Sequence, residues 1–268
     1  MKRNILYCCL CAVLLGWSAC GDEPENKVTG FEEGTGGLRL MAGYSTEIKV
    51  PVITRSADFS ALAVKDLHIV ITDNKDNSVK LDKVYGDLLN EEEGGLPIVL
   101  PLGEYTVKAC TTTDTAEGVT EIPYFMAEND KVRVEEKQIS NVSLRCTFES
   151  IGVELAVSDQ FKQLMEEQPN NYSYQVTVSN GIVSREFTPD KMTAVYFLDA
   201  CKALVVKVKV RLGASNSWYP KRTYYVKNSL NTPATSPQLG EYYVIRLDAG
   251  AEQEETLSLK SVTQEIKE

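Results

Sequence analysis

Between Ile122 and Val157 apolar and polar residues alternate with a period of two. The apolar positions are Val132 and Val134, then Val142, Leu144, Cys146 and Phe148, then Val153, Leu155 and Val157. In extended backbone successive side chains point to opposite sides, so each run is a strand with one buried face. Short polar turns separate the runs and no helical period interrupts them, which predicts antiparallel pairing in an all-β sandwich. The junction between two such sandwiches is expected just after the middle run. This divides the chain into a first β-sandwich over residues 38–148 and a second over 149–262, with a short tail at 263–268.

The flanking sequence repeats the pattern. Upstream, strands are expected at 38–52, 66–72, 79–85, 96–100 and 104–109, with a polar turn at Asp73-Asn74-Lys75-Asp76-Asn77. Downstream they are expected at 172–178, 183–187, 194–198, 204–212, 222–226, 242–247 and 256–262. Val205, Val206, Val208 and Val210 form the most apolar run, which suits a central strand. One segment breaks the rule: Phe161, Leu164 and Met165 stand at i, i+3 and i+4 behind Ser158 and Asp159. That is one short helix with a side-chain cap. Asn228–Gly240, with its prolines and small polar residues, reads as a long surface loop.

The chain of 268 residues is long enough for two domains of ordinary size, and 43% hydrophobic with 25% charged residues is a globular composition. A formal net charge of −10 repels phosphate backbones and anionic lipid, so nucleic acid is not an expected partner.

Residues 1–19 have a basic start (Lys2, Arg3), an apolar stretch and small residues at Ser18-Ala19, the pattern of a secretion signal. Ser18-Ala19-Cys20-Gly21 resembles a bacterial lipobox, with Trp17 where Leu is usual. The resemblance implies that the Cys20 thiol carries diacylglycerol and that the protein is held on a membrane by its N-terminal lipid. Asp22-Glu23-Pro24-Glu25 is similar to the signal that sends Bacteroidales lipoproteins to the outer face of the cell outer membrane. Residues 20–37 read as a flexible stalk, spanning roughly 20–25 Å if coiled. Cys110, Cys146 and Cys201 are then left in the mature chain. Cys146 shares the apolar face of β-type positions, whereas Cys110 alternates with Thr106 and Lys108, so a bridge between them is not expected.

No catalytic constellation stands out, and the chain reads as a non-enzyme with no cofactor. His68 is the only histidine and lies in a strand without a nucleophile motif nearby. The cysteines are too dispersed for zinc. Asp73, Asp76 and Asn77 lack the glycine and bidentate Glu of a calcium loop, so they read as a polar hairpin turn. Trp218-Tyr219-Pro220, Tyr224-Tyr225 and Tyr242-Tyr243 are more informative. Adjacent aromatics in a strand place one ring inward and one outward, so Trp218, Tyr219, Tyr224 and Tyr225 form a candidate platform for a sugar or protein ligand, with packing in the sandwich core and at the edge strand as the commoner reading.

Pro101-Leu102-Gly103-Glu104-Tyr105-Thr106-Val107 resembles the turn-strand of transthyretin-like sandwiches, where the glycine adopts a conformation other residues resist and the tyrosine packs inward. Together with Ile122-Pro123-Tyr124-Phe125, Leu144-Arg145-Cys146 followed by Ile151–Val157, and Val195-Tyr196-Phe197, it resembles a family of Bacteroidales surface lipoproteins of unknown function similar to the fimbrillins. The resemblance covers roughly residues 36–259. It implies two tandem transthyretin/immunoglobulin-like sandwiches acting as a pilus or adhesin subunit. It also implies cutting after an Arg that follows the first strand, and filling of the vacated groove by a strand from another fimbrial subunit. Arg55, in Ile53-Thr54-Arg55-Ser56, stands at the matching position, although an ordinary surface arginine in a loop is the simpler reading. A stand-alone glycan-binding surface lipoprotein, taking a host or dietary glycan, is the alternative.

Overall fold

The computed structural model describes residues 30–45, 59, 62–90, 95–166, 173–211, 218, 221–228 and 233–248. The chain is all-β. Its strands are β1 (Thr35–Tyr44), β2 (His68–Asp73), β3 (Val79–Val84), β4 (Ile98–Pro101), β5 (Gly103–Cys110), β6 (Val119–Thr120), β7 (Phe125–Val134) and β8 (Ile139–Phe148). There follow β9 (Ile151–Val157), β10 (Ser173–Ser179), β11 (Ser184–Phe187), β12 (Val195–Phe197), β13 (Leu204–Arg211), β14 (Arg222–Val226) and β15 (Tyr242–Leu247). Among the described residues the helical elements are α1 (Tyr85–Leu88) and α2 (Asp159–Glu166), with a 3-10 turn at Val64–Asp66.

A seven-stranded sheet in the order β3-β2-β5-β7-β8-β1-β4 wraps the first core. It curls at β7, which pairs with β5 along most of its length but meets β8 only through Phe125↔Phe148 and Met126↔Thr147. The inward positions are those that the alternation marks: Leu38, Leu40, Ile69, Ile71, Val107, Val132, Val142, Leu144 and Cys146 are all buried in one cluster. Tyr105 is fully buried among them, and its hydroxyl donates to the Pro101 carbonyl at 2.8 Å. Gly103 does not have the positive φ that the turn-strand resemblance implies. A Cβ there would rest in ordinary contact, 3.5 Å from the Tyr105 ring.

Two four-stranded sheets, β11-β10-β13-β14 and β15-β9-β12-β6, close over the second core. Val176, Val178, Val206 and Val208 from the one meet Ile151, Val153, Leu155, Phe197 and Ile245 from the other. β13 lies between β10 and β14, so the most apolar run does take an interior strand. Helix α2 is capped by Ser158, whose Oγ accepts from the Phe161 N–H at 3.1 Å and donates to Asp248 at 2.8 Å. Phe161 is fully buried beneath it.

The two cores share a construction. β1 runs parallel to β8, and β9 runs parallel to β15, so each group of strands is closed by its first and last members side by side. The sheet β15-β9-β12-β6 serves both cores. On β12, Val195 and Phe197 enter the second core while Tyr196, pointing the other way, packs in the first. On β15 Tyr243 belongs to the second core and Tyr242 lies against the first. The expected inward–outward alternation of this tyrosine pair is therefore kept, but the outward ring meets protein instead of solvent.

Three other expectations change. Residues 35–37, expected to belong to a flexible stalk, are part of β1, which begins at Thr35. Glycine there reads as flexibility in a sequence, but a Cβ on Gly36 would come 2.2 Å from the Glu135 carbonyl oxygen, so it serves close approach of two backbones. Cys110 is buried despite its polar parity, flanked in register by His68 and Met126 on neighbouring strands. Val119, from the range expected for the first sandwich, packs in the second core, and β6 pairs with β12.

Candidate functional site

β14 is an edge strand, paired only to β13 among the described residues, with Val206 opposite Tyr224 and Val205 opposite Tyr225. Val206 is fully buried, so Tyr224 faces inward and packs on the second core. Tyr225 faces out and is 73% exposed. Trp218, which follows β13, is 42% exposed, and the Arg211 guanidinium sits over its ring at 5.3 Å from the centroid. That spacing is a cation–π contact between the two side chains. The platform expected from sequence thus reduces to Trp218 and Tyr225, with Tyr224 given to the core. Tyr219 lies outside the described residues, as do Cys20, Arg55 and the expected last strand at 256–262.

A buried carboxylate fixes the far end of β14, and nothing in the sequence pattern marks it. Glu241 is buried, accepting from Asn228 Nδ2 at 2.7 Å, from the Gln238 N–H at 3.0 Å and from the Tyr243 hydroxyl. Its own carbonyl accepts from the Gly152 N–H at 2.9 Å. A carboxylate this deep is stable only when hydrogen-bonded, and these partners supply what burial removes. Asn228 stands two residues past β14 and bridges to Thr235, so the network anchors the expected surface loop to β15. Burial raises the Tyr243 hydroxyl well above its ordinary pKa, with the Glu241 carboxylate adding to the effect. The Cys201 thiol is likewise pushed up, to about 11, chiefly by burial.

At the 73–77 turn, Asp73 accepts from the Lys75 N–H, and Asp76 accepts from the Ser78 N–H and hydroxyl. Lys80 reaches both carboxylates, at 3.3 and 3.6 Å. Cys110, Cys146 and Cys201 are free thiols. Cys146 donates weakly to the Ala109 carbonyl at 3.6 Å, and burial pushes its thiol up to about 12. Among the described residues no group of three or more His, Cys, Asp or Glu side chains could hold a metal ion, and no helix is long and apolar enough to cross a membrane.

The sequence profile described as Domain of unknown function (DUF4493) matches residues 34–266. The chain belongs to that family. No curated protein matches it. The solved structures to which it is similar include three Bacteroides proteins, each described as a putative cell adhesion protein. One from Bacteroides uniformis has a TM-score of 0.39 at 10% identity, over 80% of this chain and 93% of that one. One from Bacteroides eggerthii has a TM-score of 0.39 at 10% identity, over 84% and 88%. One from Bacteroides ovatus has a TM-score of 0.34 at 12% identity, over 79% and 91%.

Proposed function

We propose that this protein is a non-enzymatic, surface-exposed lipoprotein of the outer membrane, acylated at Cys20, that acts as a fimbrillin-like structural or adhesive subunit. In this reading the two cores are tandem transthyretin-like sandwiches. The observation that carries the proposal is the seat of β1. This first strand is not an edge: it is hydrogen-bonded to β8 on one side and to β4 on the other, and it places Leu38 and Leu40 fully within the core. Cutting after Arg55 would separate β1 from everything that follows it. The slot left between β8 and β4 would have unpaired backbone on both walls and an apolar floor, which a strand of another subunit with alternating apolar residues would satisfy. Leu257 and Leu259 alternate in that manner.

The test is the state of the protein on cells. Ladders that resist SDS, with Ser56 at the N-terminus and loss of the ladder on deleting residues 256–268, support strand exchange. Surface protein that begins only at acyl-Cys20 and runs as a monomer rejects it. The exposed pair Trp218 and Tyr225 favours a second reading, a stand-alone glycan binder, in which Trp218→Ala abolishes polysaccharide affinity.

A further inference from the structure

Residues 201–240 carry seven of the chain's 28 Lys and Arg residues and none of its 38 Asp and Glu. In a chain of net charge −10 this is a local reversal of sign, and it coincides with the β13–β14 hairpin that presents the aromatic pair. Along β13 burial alternates strictly: Leu204, Val206, Val208 and Val210 are buried, while Lys207, Lys209 and Arg211 lie on the outer face. Positions two apart on a strand are about 6.7 Å apart, so these three cations form a straight column about 13 Å long. Lys207 lies between Thr177 on β10 and Thr223 on β14, in register, and Tyr225 stands at the outer end of the same face.

The column has no internal counter-charge. Among the described residues, ion pairs are made by Lys80, Arg133, Lys162, Arg185 and Lys191, and by none of the cations of this hairpin. The carboxylate on the same face is Glu186 of β11, opposite Thr177 and so two strand spacings, roughly 10 Å, from Lys207. Its carboxylate is already bonded by Gln175, the residue opposite Lys209, and makes no ion pair with the column. The Nε of Arg211 is buried and has no acceptor among the described residues.

We infer that the outer face of β13 and β14 is a docking surface for an acidic polysaccharide, a linear sugar polymer bearing carboxylate or sulfate groups. The cation column matches regularly spaced anionic groups. Threonine hydroxyls beside it match sugar hydroxyls, and Tyr225 and Trp218 offer flat faces at the edge on which pyranose rings stack. A densely charged nucleic acid fits less well, since the rest of the molecule is strongly acidic and repels it over the length such a polymer spans. The inference rests on the glycan-binding reading and adds the charge class of the ligand.

The experiment uses the full mature chain with Cys20→Ser, so that no lipid is present, and measures binding to polygalacturonate, to the same polymer after methyl esterification, and to polyglutamate. Expected are binding to polygalacturonate that weakens as salt is raised, and at least about ten-fold weaker binding to the ester. Lys207→Gln with Lys209→Gln weakens binding by about ten-fold, Lys207→Arg with Lys209→Arg retains it, and both pairs melt at the wild-type temperature. Equal binding of ester and acid overturns the charge assignment while leaving the glycan reading in place. Absence of binding to either sugar polymer removes both. Equal binding of polyglutamate makes the ligand an acidic peptide and overturns the saccharide assignment. Undiminished binding in the Lys→Gln pair, with the fold intact, overturns the location.

Discussion

Gly152 lies on β9 directly between two tyrosines, opposite Tyr242 on β15 and Tyr196 on β12. A methyl group added there would sit 2.2 Å from Tyr242 Cδ2 and 2.7 Å from Cε2. Two effects of Gly152→Ala oppose each other. Alanine restricts the unfolded chain, which by itself stabilises by about 0.4–1 kcal/mol. The clash cannot be relieved at the tip of a flexible chain, because the ring itself is met. Tyr242 must swing out, giving up a hydroxyl bond to Glu154 at 3.0 Å and its tilted contact with Tyr196 at 6.3 Å between centroids. Overpacking of this kind costs about 1–3 kcal/mol and the lost hydrogen bond about 1 kcal/mol more, so the clash wins. The expected net loss is about 1–3 kcal/mol. Urea unfolding of Gly152→Ala, Tyr242→Ala and the double variant isolates the cause. If the clash is responsible, the double variant is no less stable than Tyr242→Ala alone, to within about 0.5 kcal/mol. Strict additivity of the two losses would refute the argument, as would a Gly152→Ala protein more stable than the wild type.

Three further outcomes follow from particular contacts. Ser158→Ala removes the N-cap of α2 together with the bond to Asp248, lowering stability by about 1–2 kcal/mol in denaturant titration, and Ser158→Asp recovers less than the cap alone would give because it meets Asp248. On the alkaline side, burial raises Cys146 from 9.0 to about 12 and Cys201 from 9.0 to about 11. Above about pH 9 the unfolded chain sheds protons that the folded chain keeps, so the stability present below pH 9 is lost as pH rises, through about 11 for Cys201 and about 12 for Cys146, and the urea midpoint falls over that window. Adding millimolar calcium leaves the melting temperature unchanged, since Lys80 and backbone N–H groups already occupy the Asp73 and Asp76 carboxylates; a calcium-dependent rise would show that the turn is a metal site.

The strands were legible because a half-buried sheet writes its two faces into the sequence at period two. The runs at 142–148 and 153–157 emerge as β8 and β9 with the expected inward faces. What the pattern could not show is what lies outside each sheet. Tyr242 and Tyr196 have the outward parity of exposed residues, but the outward side of β15 and β12 is the end of the first core. Cys110 has polar parity and is buried by its cross-strand neighbours. The strand expected at 79–85 emerges as β3 one residue shorter, because Tyr85 opens α1: it is buried and its hydroxyl bonds the Leu40 carbonyl at 3.3 Å, a tertiary contact that local alternation does not show. Of the candidate site, Tyr225 and Trp218 follow from aromatic pairing alone. Glu241 does not, because a carboxylate reads as surface until its partners from distant segments are in place.

The central claim is that a lipid-anchored β protein gives up its first strand to join a polymer at the cell surface. Mass spectrometry of the N-terminus of surface-released protein tests this most directly. The account predicts two forms, a precursor beginning at acylated Cys20 and a polymer-associated chain beginning at Ser56. A single acylated form beginning at Cys20, still carrying β1 in every assembly recovered, contradicts it.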